Sequence, residues 1–466
     1  YMISDNTVQR VKDLSIVDVL GKYVKLQRQG ANYVCCCPFH GEKSPSLNVS
    51  PSKNLWHCFG CDRGGDAIKF VMELQNIEFH TAVEEIAKSN GVYVEYVATE
   101  RSEEQIADAK HRESLLIAIE QVHEYFVSSL ETDAKGKEYA FRRWGEEFCH
   151  KVGIGFAPYS SAAFLDWCKS KAVNMDALLE LGIVKKSEND GSLYAFFRNR
   201  VTIPIRSRSR KIIGFTARDI TGNEKAKYIN STTSKIFAKG EVLFGIDKAA
   251  NAARNEDFVI CVEGAPDVLR LQSVGLENAV ATLGTAWTDK HFDALAKITK
   301  SVCFIPDCDV PGDGQDFGAG ETAVIRNGEA AMRHGFAVTV RELPFAEIDG
   351  KPAKNDADSY ISCKKDFTNL EEKHFVVWLA EKRYPLVKTQ VARRKLVTDL
   401  TSLLACIDDK LIIADCIEQL AKIDGKQRFW KESLKSVKEE SRRNAIRDRK
   451  DSSPATAKER ETELLN

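Results

Sequence analysis

Two pairs of residues, Cys37-Pro-Phe-His40 and Cys58-Phe-Gly-Cys61, constrain this chain more than any other stretch. Each pair leaves two residues between its partners, so one short turn can wrap an ion, and two such turns complete a tetrahedron. Three thiolates and an imidazole suit zinc, which is expected to be structural and bound once. A redox Cys-x-x-Cys needs only the second pair and leaves His40 unexplained. Pro38 shapes the first turn, and Gly60 gives backbone amides room to approach the thiolates of the second. Cys35 and Cys36 precede the first pair, and Cys36 is an alternative to Cys37 as a ligand. His57 has the wrong parity for the knuckle and is expected at the surface, within reach of nucleic acid. Phe39, Trp56 and Phe59 interleave with Lys43, Lys53 and Arg63. Two readings stand side by side: a platform that stacks bases and neutralises phosphates, or aromatics that form only the clip's miniature core.

The clip cannot account for the rest of a 466-residue chain, which predicts two to four domains. A hydrophobic share of 43% excludes the disordered class. Cys149, Cys168, Cys261, Cys303, Cys308, Cys363, Cys406 and Cys416 stand singly, which is no disulfide framework and predicts a reducing cytoplasm. No apolar run approaches the roughly 18 residues of a membrane span. The opening segment has no basic region followed by an apolar stretch, so no signal peptide is expected, and Tyr1 reads as lying outside the natural start. The formal net charge of −1 leaves nucleic-acid binding to be decided by local clusters.

Pattern divides the chain into a zinc-binding segment over 1–95, a charged linker over 96–112, a mixed helix and strand segment over 113–250, and an α/β segment over 251–365. Helices are expected throughout 366–441, and 442–466 is expected to fray into disorder. The first segment opens on an amphipathic helix, "VQRVKDLSIVDVLGKYV", and "RVTIPIRSR" and "KIIGFTARD" read as strands of the third. No internal repeat is present.

In the α/β segment, "DFVICVEGAPDVLRLQSVG" is an apolar strand ending on Glu263, with Gly264 in the turn and Pro266 at a helix start. "SVCFIPDCDVPG" is another, ending in Asp307 and Asp309, two residues apart and so on one face. Acids at the C-terminal ends of successive strands stand where open α/β sheets bind ligands. Their mutual repulsion calls for a hard divalent cation, Mg²⁺ or Mn²⁺.

These stretches carry a resemblance. "CCPFHGEKSPSLNV" with "LWHCFGCDRGGDAIKFVMELQNIEF" resembles the CHC2-type zinc-binding domain of bacterial DnaG-type DNA primases, and "VEGAPDVLRLQSVG" with "AVATLGTAWT" resembles their Toprim domain. It implies a multidomain α+β protein: a zinc ribbon, an N-terminal catalytic subdomain, an α/β Toprim subdomain and C-terminal helices. It implies that Glu263 is a general acid/base or metal ligand and that Asp307 and Asp309 hold Mg²⁺. Asp267, Asp356 and Asp358 line that site, with Gly284 and Thr285 near substrate. Arg142, Arg143, Arg198, Arg200, Arg218, Lys227 and Lys239 fall in matching basic motifs, which implies contact with nucleotide phosphates, template and nascent hybrid. The run Arg206 to Lys211 is a hairpin tip and is expected to face solvent. The sequence departs from the family after Asp309, where "VPGDGQDFGAGETAVIRNG" is longer and richer in glycine; this insertion over 311–320 is expected as a surface loop beside the metal site.

The activity implied is synthesis of short RNA primers from ribonucleoside triphosphates on single-stranded DNA. The expected protein is a monomer, with a replicative helicase as a partner in trans and no membrane association. No P-loop is present, so no helicase motor is fused in cis. The short tail and the insertion are those expected of a primase carried by a mobile element, plasmid or phage. Two alternatives are a Toprim nuclease and a non-catalytic DNA-binding protein of such an element. Retention of the acids and the basic set argues against the second, and the elements at 198–240 are not needed for the first.

Overall fold

A computed structural model describes residues 2–42, 44–75, 77–97 and 103–451. Lys43 and the tail over 452–466, both singled out above, lie outside the described residues. The chain divides into two compact units, one of residues 1–238 with 246–257, the other of 239–245 with 258–466.

The first unit begins with the amphipathic stretch, which forms two helices rather than one, Asp5–Lys12 and Ile16–Leu20. Ser4 and Ser15 cap them, their side chains accepting from Thr7 N and Asp18 N. The break between them is filled from far along the chain. Asn54 Oδ1 accepts from Ile16 N at 2.9 Å, and Asn54 Nδ2 donates to Lys12 O and Leu14 O at 2.8 and 2.9 Å. One side chain thus satisfies the groups a continuous helix would have paired internally. Five antiparallel strands follow in simple sequence, Gln27–Gln29, Asn32–Cys35, Leu47–Ser50, Leu55–Cys58 and Gly64–Gly65, and then helices Ala67–Gln75 and Phe79–Ser89. Their apolar faces close over Val11, Leu20, Leu47, Trp56, Phe70 and Val83, all buried.

Tyr96–Val97, at the start of the expected linker, pairs as a strand with Met2–Ile3. From Glu103 the linker is already the first part of a 30-residue helix that ends at Thr132. That helix buries Leu115, Ile119, Val122 and Phe126 against a four-stranded antiparallel sheet. The sheet order is Tyr228–Asn230, Ile212–Asp219, Arg200–Arg206, Gly155–Ala157.

The second unit is built on a five-stranded sheet, ordered Ala279–Ala281, Val259–Val262, Ser301–Phe304, Ala337–Arg341, Glu372–His374. The first four are parallel, and Val259–Val262 and, after Ser301, residues 302–304 read as unbroken apolar runs because both faces are covered. The last is antiparallel and corrects the expectation of helices throughout 366–441. Three residues give no periodicity to read; Glu372–His374 is a strand because the edge of Ala337–Arg341 offers it a ladder. Helices Gln390–Leu404, Lys410–Asp424 and Gln427–Asp451 complete the unit. The last runs ten residues into the stretch expected to fray, with i,i+4 pairs Arg428–Glu432 and Lys435–Glu439 along its course.

Candidate metal centres and phosphate-binding cations

Among the described residues, two groups of ligand atoms are close enough to share an ion: Cys37, His40, Cys58 and Cys61, and Glu263, Asp307 and Asp309, each with all atoms within 4.8 Å of one another.

In the first group, Cys37 Sγ lies 3.9 Å from Cys61 Sγ, and Cys58 Sγ lies 3.9 Å from His40 Nδ1. A tetrahedron with Zn–S bonds of about 2.3 Å has edges of about 3.8 Å, so the donors fit a zinc ion. Cys36 is exposed and outside the group, which resolves the choice in favour of Cys37. The sulfurs also receive backbone amides, from Phe39 N to Cys37 and from Gly60 N to Cys58, both at 3.4 Å. A Cβ on Gly60 would come within 2.6 Å of His40 Nε2, so the second knuckle needs glycine. Burial works against the Cys58 thiolate, but Ser46 Oγ at 3.2 Å and the amides of Cys61 and Gly60 outweigh it and bring the thiol down to about 7.

Glu42 is a supporting residue that spacing did not reveal. Its carboxylate accepts from Cys37 N at 2.5 Å and Ser46 N at 3.2 Å, and it stands 3.1 Å from His40 Nε2. A carboxylate on the far nitrogen of a ligating imidazole orients the ring and fixes its tautomer.

The aromatic residues divide between the two readings left open. Trp56 is buried, and Phe39 stacks on it at 5.2 Å between ring centroids, so these two form the miniature core. Phe59 is 76% exposed, with His57 edge-on at 4.8 Å, and Lys53 and Arg63 are exposed as well. Only Phe59 among the three aromatic residues is open to stack a base.

In the second group, Glu263 ends Val259–Val262, and Asp307 and Asp309 follow Ser301–Phe304. These two strands are adjacent and parallel, with Cys261 opposite Phe304. The chain leaves the first strand toward Ala279–Ala281 on one side, then crosses to Ser301–Phe304 on the other. The acids therefore stand at the topological switch point, where an open parallel sheet has its crevice. Paired hydrogen bonds between Cys308 and Asn355, 2.8 and 3.1 Å long, hold the Asp307–Asp309 segment extended.

Lys354 completes the group and was not anticipated. Its Nζ lies 2.8 Å from Asp307 Oδ2 and 2.8 Å from Asp309 Oδ1. A cation thus already bridges two of the three acids, which is what the electrostatics of a divalent site demands. Lys354 stands two residues before Asp356, and nothing in its local pattern marks it as the partner of acids some forty-five residues earlier. Gly320 is a second unanticipated residue, from the glycine-rich insertion. Its amide donates to Asp309 Oδ2 at 3.1 Å, and a Cβ there would fall 2.3 Å from Asp307 O and 2.8 Å from Glu263 Oε1. The insertion is therefore a fitted wall of the acid site at its C-terminal end, not surface loop throughout. Where a divalent cation binds, Glu263, Asp307 and Asp309 are the residues placed to hold it.

The other three acids of the expected set also make local hydrogen bonds of their own. Asp267 is buried and caps its helix, accepting from Gly264 N at 3.1 Å and Asp358 N at 3.2 Å. Burial first, and the charge of Asp307 second, push its carboxyl well above the usual range. Asp358 is buried beside Arg270, whose Nε donates to its backbone carbonyl at 3.0 Å and lies 3.4 Å from its Oδ1. Asp356 caps the short Ala357–Tyr360 helix, accepting from Ser359 N at 2.8 Å. The charge of Asp356 bears on Asp307, and those of Asp307, Asp356 and Asp358 bear on Asp267, so these acids border the site as well as serving their own elements. Gly284 and Thr285 are exposed, in the turn that Thr282 Oγ1 closes by donating to Thr285 O at 2.8 Å.

Partial desolvation in the crevice and the adjoining Asp307 push the Glu263 carboxyl up to about 7. Below that pH a proton competes with any cation for it. Mn²⁺ affinity is therefore expected to fall about tenfold per pH unit below about pH 7 and to level off above it. Calorimetric titration at a series of pH values checks this, and a flat profile would remove Glu263 from the ligand set.

The cations of the first unit divide into three kinds. Arg142, Arg198 and Lys227 are exposed, and Arg142 lines a groove of about 590 Å³ with Tyr139, Asn199 and Thr221. Arg143 and Arg218 are half-buried against rings, Arg143 5.6 Å from the centroids of Tyr139 and Trp144, Arg218 4.9 Å from that of Tyr228. Arg200 corrects the expectation. It is 5% exposed, and its Nη1 donates to Ala226 O at 3.1 Å and to Lys227 O at 3.4 Å. Its guanidinium holds the segment that presents Lys227 rather than meeting a ligand itself. Lys239, in the second unit, is half-buried. Arg206 begins the turn of the Arg206–Lys211 run, its Nη1 donating to Arg210 O at 3.2 Å, and Arg208, Arg210 and Lys211 are exposed.

Comparison with known proteins finds relatives for three parts of the chain. Residues 3–102 match a family model described as a CHC2 zinc finger, 125–250 match the N-terminal domain of the DNA primase catalytic core, and 260–361 match a Toprim-like model. A DNA primase of Staphylococcus aureus is 31% identical over 421 residues, covering 85% of this chain and 68% of its own. The zinc-binding and RNA polymerase domains of the Aquifex aeolicus primase superpose with a TM-score of 0.54 at 29% identity, covering 90% of this chain and 97% of that one. A DnaG primase catalytic domain solved bound to single-stranded DNA gives a TM-score of 0.55 at 26% identity, covering 67% and 99%.

Proposed function

This chain belongs to the DNA primase family and is a primase, an RNA-polymerase-type nucleotidyltransferase, and from that premise we propose that it joins ribonucleoside triphosphates into short primers on single-stranded DNA. The observation that carries the chemistry is the set of Glu263, Asp307 and Asp309 oxygens within 4.8 Å of one another at the switch point of the sheet. Mg²⁺ or Mn²⁺ bound there supplies Lewis-acid polarisation of the α-phosphate and of the attacking 3′-hydroxyl. The three carboxylates hold the cation. Lys354, bridging Asp307 and Asp309, keeps them from repelling one another before it arrives. The amide of Gly320 fixes the rotamer of Asp309. In the first unit, the exposed Arg142, Arg198 and Lys227 neutralise phosphates of nucleotide and template, and Arg143 and Arg218, backed by aromatic rings, offer planar donors to the same groups. The zinc ion fastens the ribbon, whose exposed Phe59 stacks a template base.

The single-stranded template is supported by the related DnaG catalytic domain solved with such DNA. The reading includes a cytoplasmic location and a replicative helicase acting in trans. No described helix is long and apolar enough to cross a membrane.

The test is incorporation of labelled ribonucleotides on a mixed-sequence single-stranded DNA with Mg²⁺, beside Asp307→Ala. Short products lost in the variant support the reading. Cleavage of the template in place of extension would turn it toward a nuclease. Lys227→Ala is expected to raise KM for nucleotide about tenfold, the loss of one charge-assisted hydrogen bond to a phosphate. Wild-type steady-state kinetics in that variant would make Lys227 an ordinary solvated lysine.

A further inference from the structure

The Lys239–Gly240 dipeptide opens the short segment that joins the second unit, ahead of its first strand. Its two backbone carbonyls are each held by a different residue of one helix cap. Helix Asp289–Ala296 has a capping box between Thr288 and His291: Thr288 Oγ1 accepts from His291 N at 3.3 Å, and His291 Nδ1 accepts from Thr288 N at 3.2 Å. That third position usually carries glutamate or glutamine, whose side chain satisfies the cap and stops there. Histidine has a second nitrogen, and here it has a partner. His291 Nε2 lies 3.1 Å from Lys239 O. With Nδ1 taken up as an acceptor, Nε2 carries the proton and donates it to that carbonyl. Thr288 Oγ1 donates its own proton to Gly240 O at 2.6 Å. His291 is completely buried, so no water can replace it. Lys290 pairs with Glu241 at the surface beside the clamp.

We propose that His291, with Thr288, is a positioning residue that sets the backbone from which Lys239 projects, so that the lysine reaches substrate phosphate in a defined orientation. The proposal rests on the reading of Lys239 as a phosphate-contacting cation. It also explains why a histidine is buried at a helix cap, where a carboxylate would serve the cap alone.

Two substitutions separate the roles of the ring. In His291→Asn the side-chain oxygen takes the place of Nδ1 and keeps the cap, but nothing reaches Lys239. In His291→Gln the amide reaches to the position of Nε2 and restores a donor. The full chain is assayed for primer extension at varied nucleotide concentration. His291→Asn is expected to raise KM for nucleotide about five- to tenfold, the loss of one buried hydrogen bond acting through the lysine. A smaller change in kcat is expected with it, and a melting temperature lowered by only a few degrees, the cost of one buried carbonyl left unpaired. His291→Gln is expected to recover most of the loss. Added to Lys239→Ala, His291→Asn is expected to have no further effect, because the clamp acts only through that side chain.

Wild-type KM in His291→Asn, or effects of the two substitutions that multiply, would overturn the proposal. If Lys239→Ala itself behaves as wild type, the role of the lysine fails. Imidazole ¹⁵N shifts and amide exchange over 239–245 then test the clamp separately. An Nε2-protonated ring, with faster exchange in His291→Asn, supports it, and unchanged exchange ends it.

Discussion

Replacing Asp309 with alanine is expected to lower primer synthesis by about 10³-fold, about 4 kcal/mol of transition-state stabilisation, while template binding stays within about twofold. Asp309 supplies one of three carboxylates around a common point, and its two oxygens are both in use, one beside Lys354 Nζ and the other accepting from Gly320 N. Two remaining acids can still attract a cation but cannot orient it, and orientation separates productive from unproductive metal binding in phosphoryl transfer. Template binding is spared because the exposed cations Arg142, Arg198 and Lys227 belong to the other unit. Extension rates and fluorescence anisotropy on the same template, with circular dichroism as the folding control, measure both halves. Synthesis at more than a tenth of the wild-type rate would remove Asp309 from the metal site.

Cys61→Ser is expected to empty the ribbon of zinc and abolish template-directed initiation, while extension of a pre-annealed primer survives in part. Structural zinc stabilises small ribbons by about 10–16 kcal/mol at neutral pH, more than so small a core supplies alone. The four antiparallel pairings from Gln27 to Gly65 join strands of two to four residues, and the loops between them are fastened chiefly at the ligand knuckles. With one thiolate gone, the exposed Phe59 loses the frame that presents it. Zinc per chain is read by atomic absorption, initiation on unprimed DNA and extension on primed DNA. An unchanged zinc content would sink the ligand set, and equal loss on both templates would mean that the ribbon serves folding rather than initiation.

The features legible from the sequence were those that local chemistry forces. Pairs spaced by two residues must sit on one turn, so the Cys37–His40 and Cys58–Cys61 ligands could be written down without a fold. Apolar strands that end in acids announced Glu263, Asp307 and Asp309 in the same way. Readings failed wherever a distant residue decided. Arg200 lies in a run of basic motifs and looked like its neighbours, but pairing with Ile212–Asp219 buries it on the carbonyls of Ala226 and Lys227. The resemblance implies that Asp267 and Asp358 line the metal site, and only the fold shows that one also caps a helix and the other sits against Arg270. Asn54, thirty-eight residues from Ile16, breaks a helix that periodicity carries straight through.

The sequence by itself determined which atoms can bind a metal here, because ligand type and short-range spacing are properties of adjacent residues. Tertiary structure alone decided that Val259–Val262 lies beside Ser301–Phe304, that Lys354 closes the acids from a third segment, and that His291 reaches back to Lys239. Strand order and burial are set by which surfaces exclude water together, and that is a property of the whole chain.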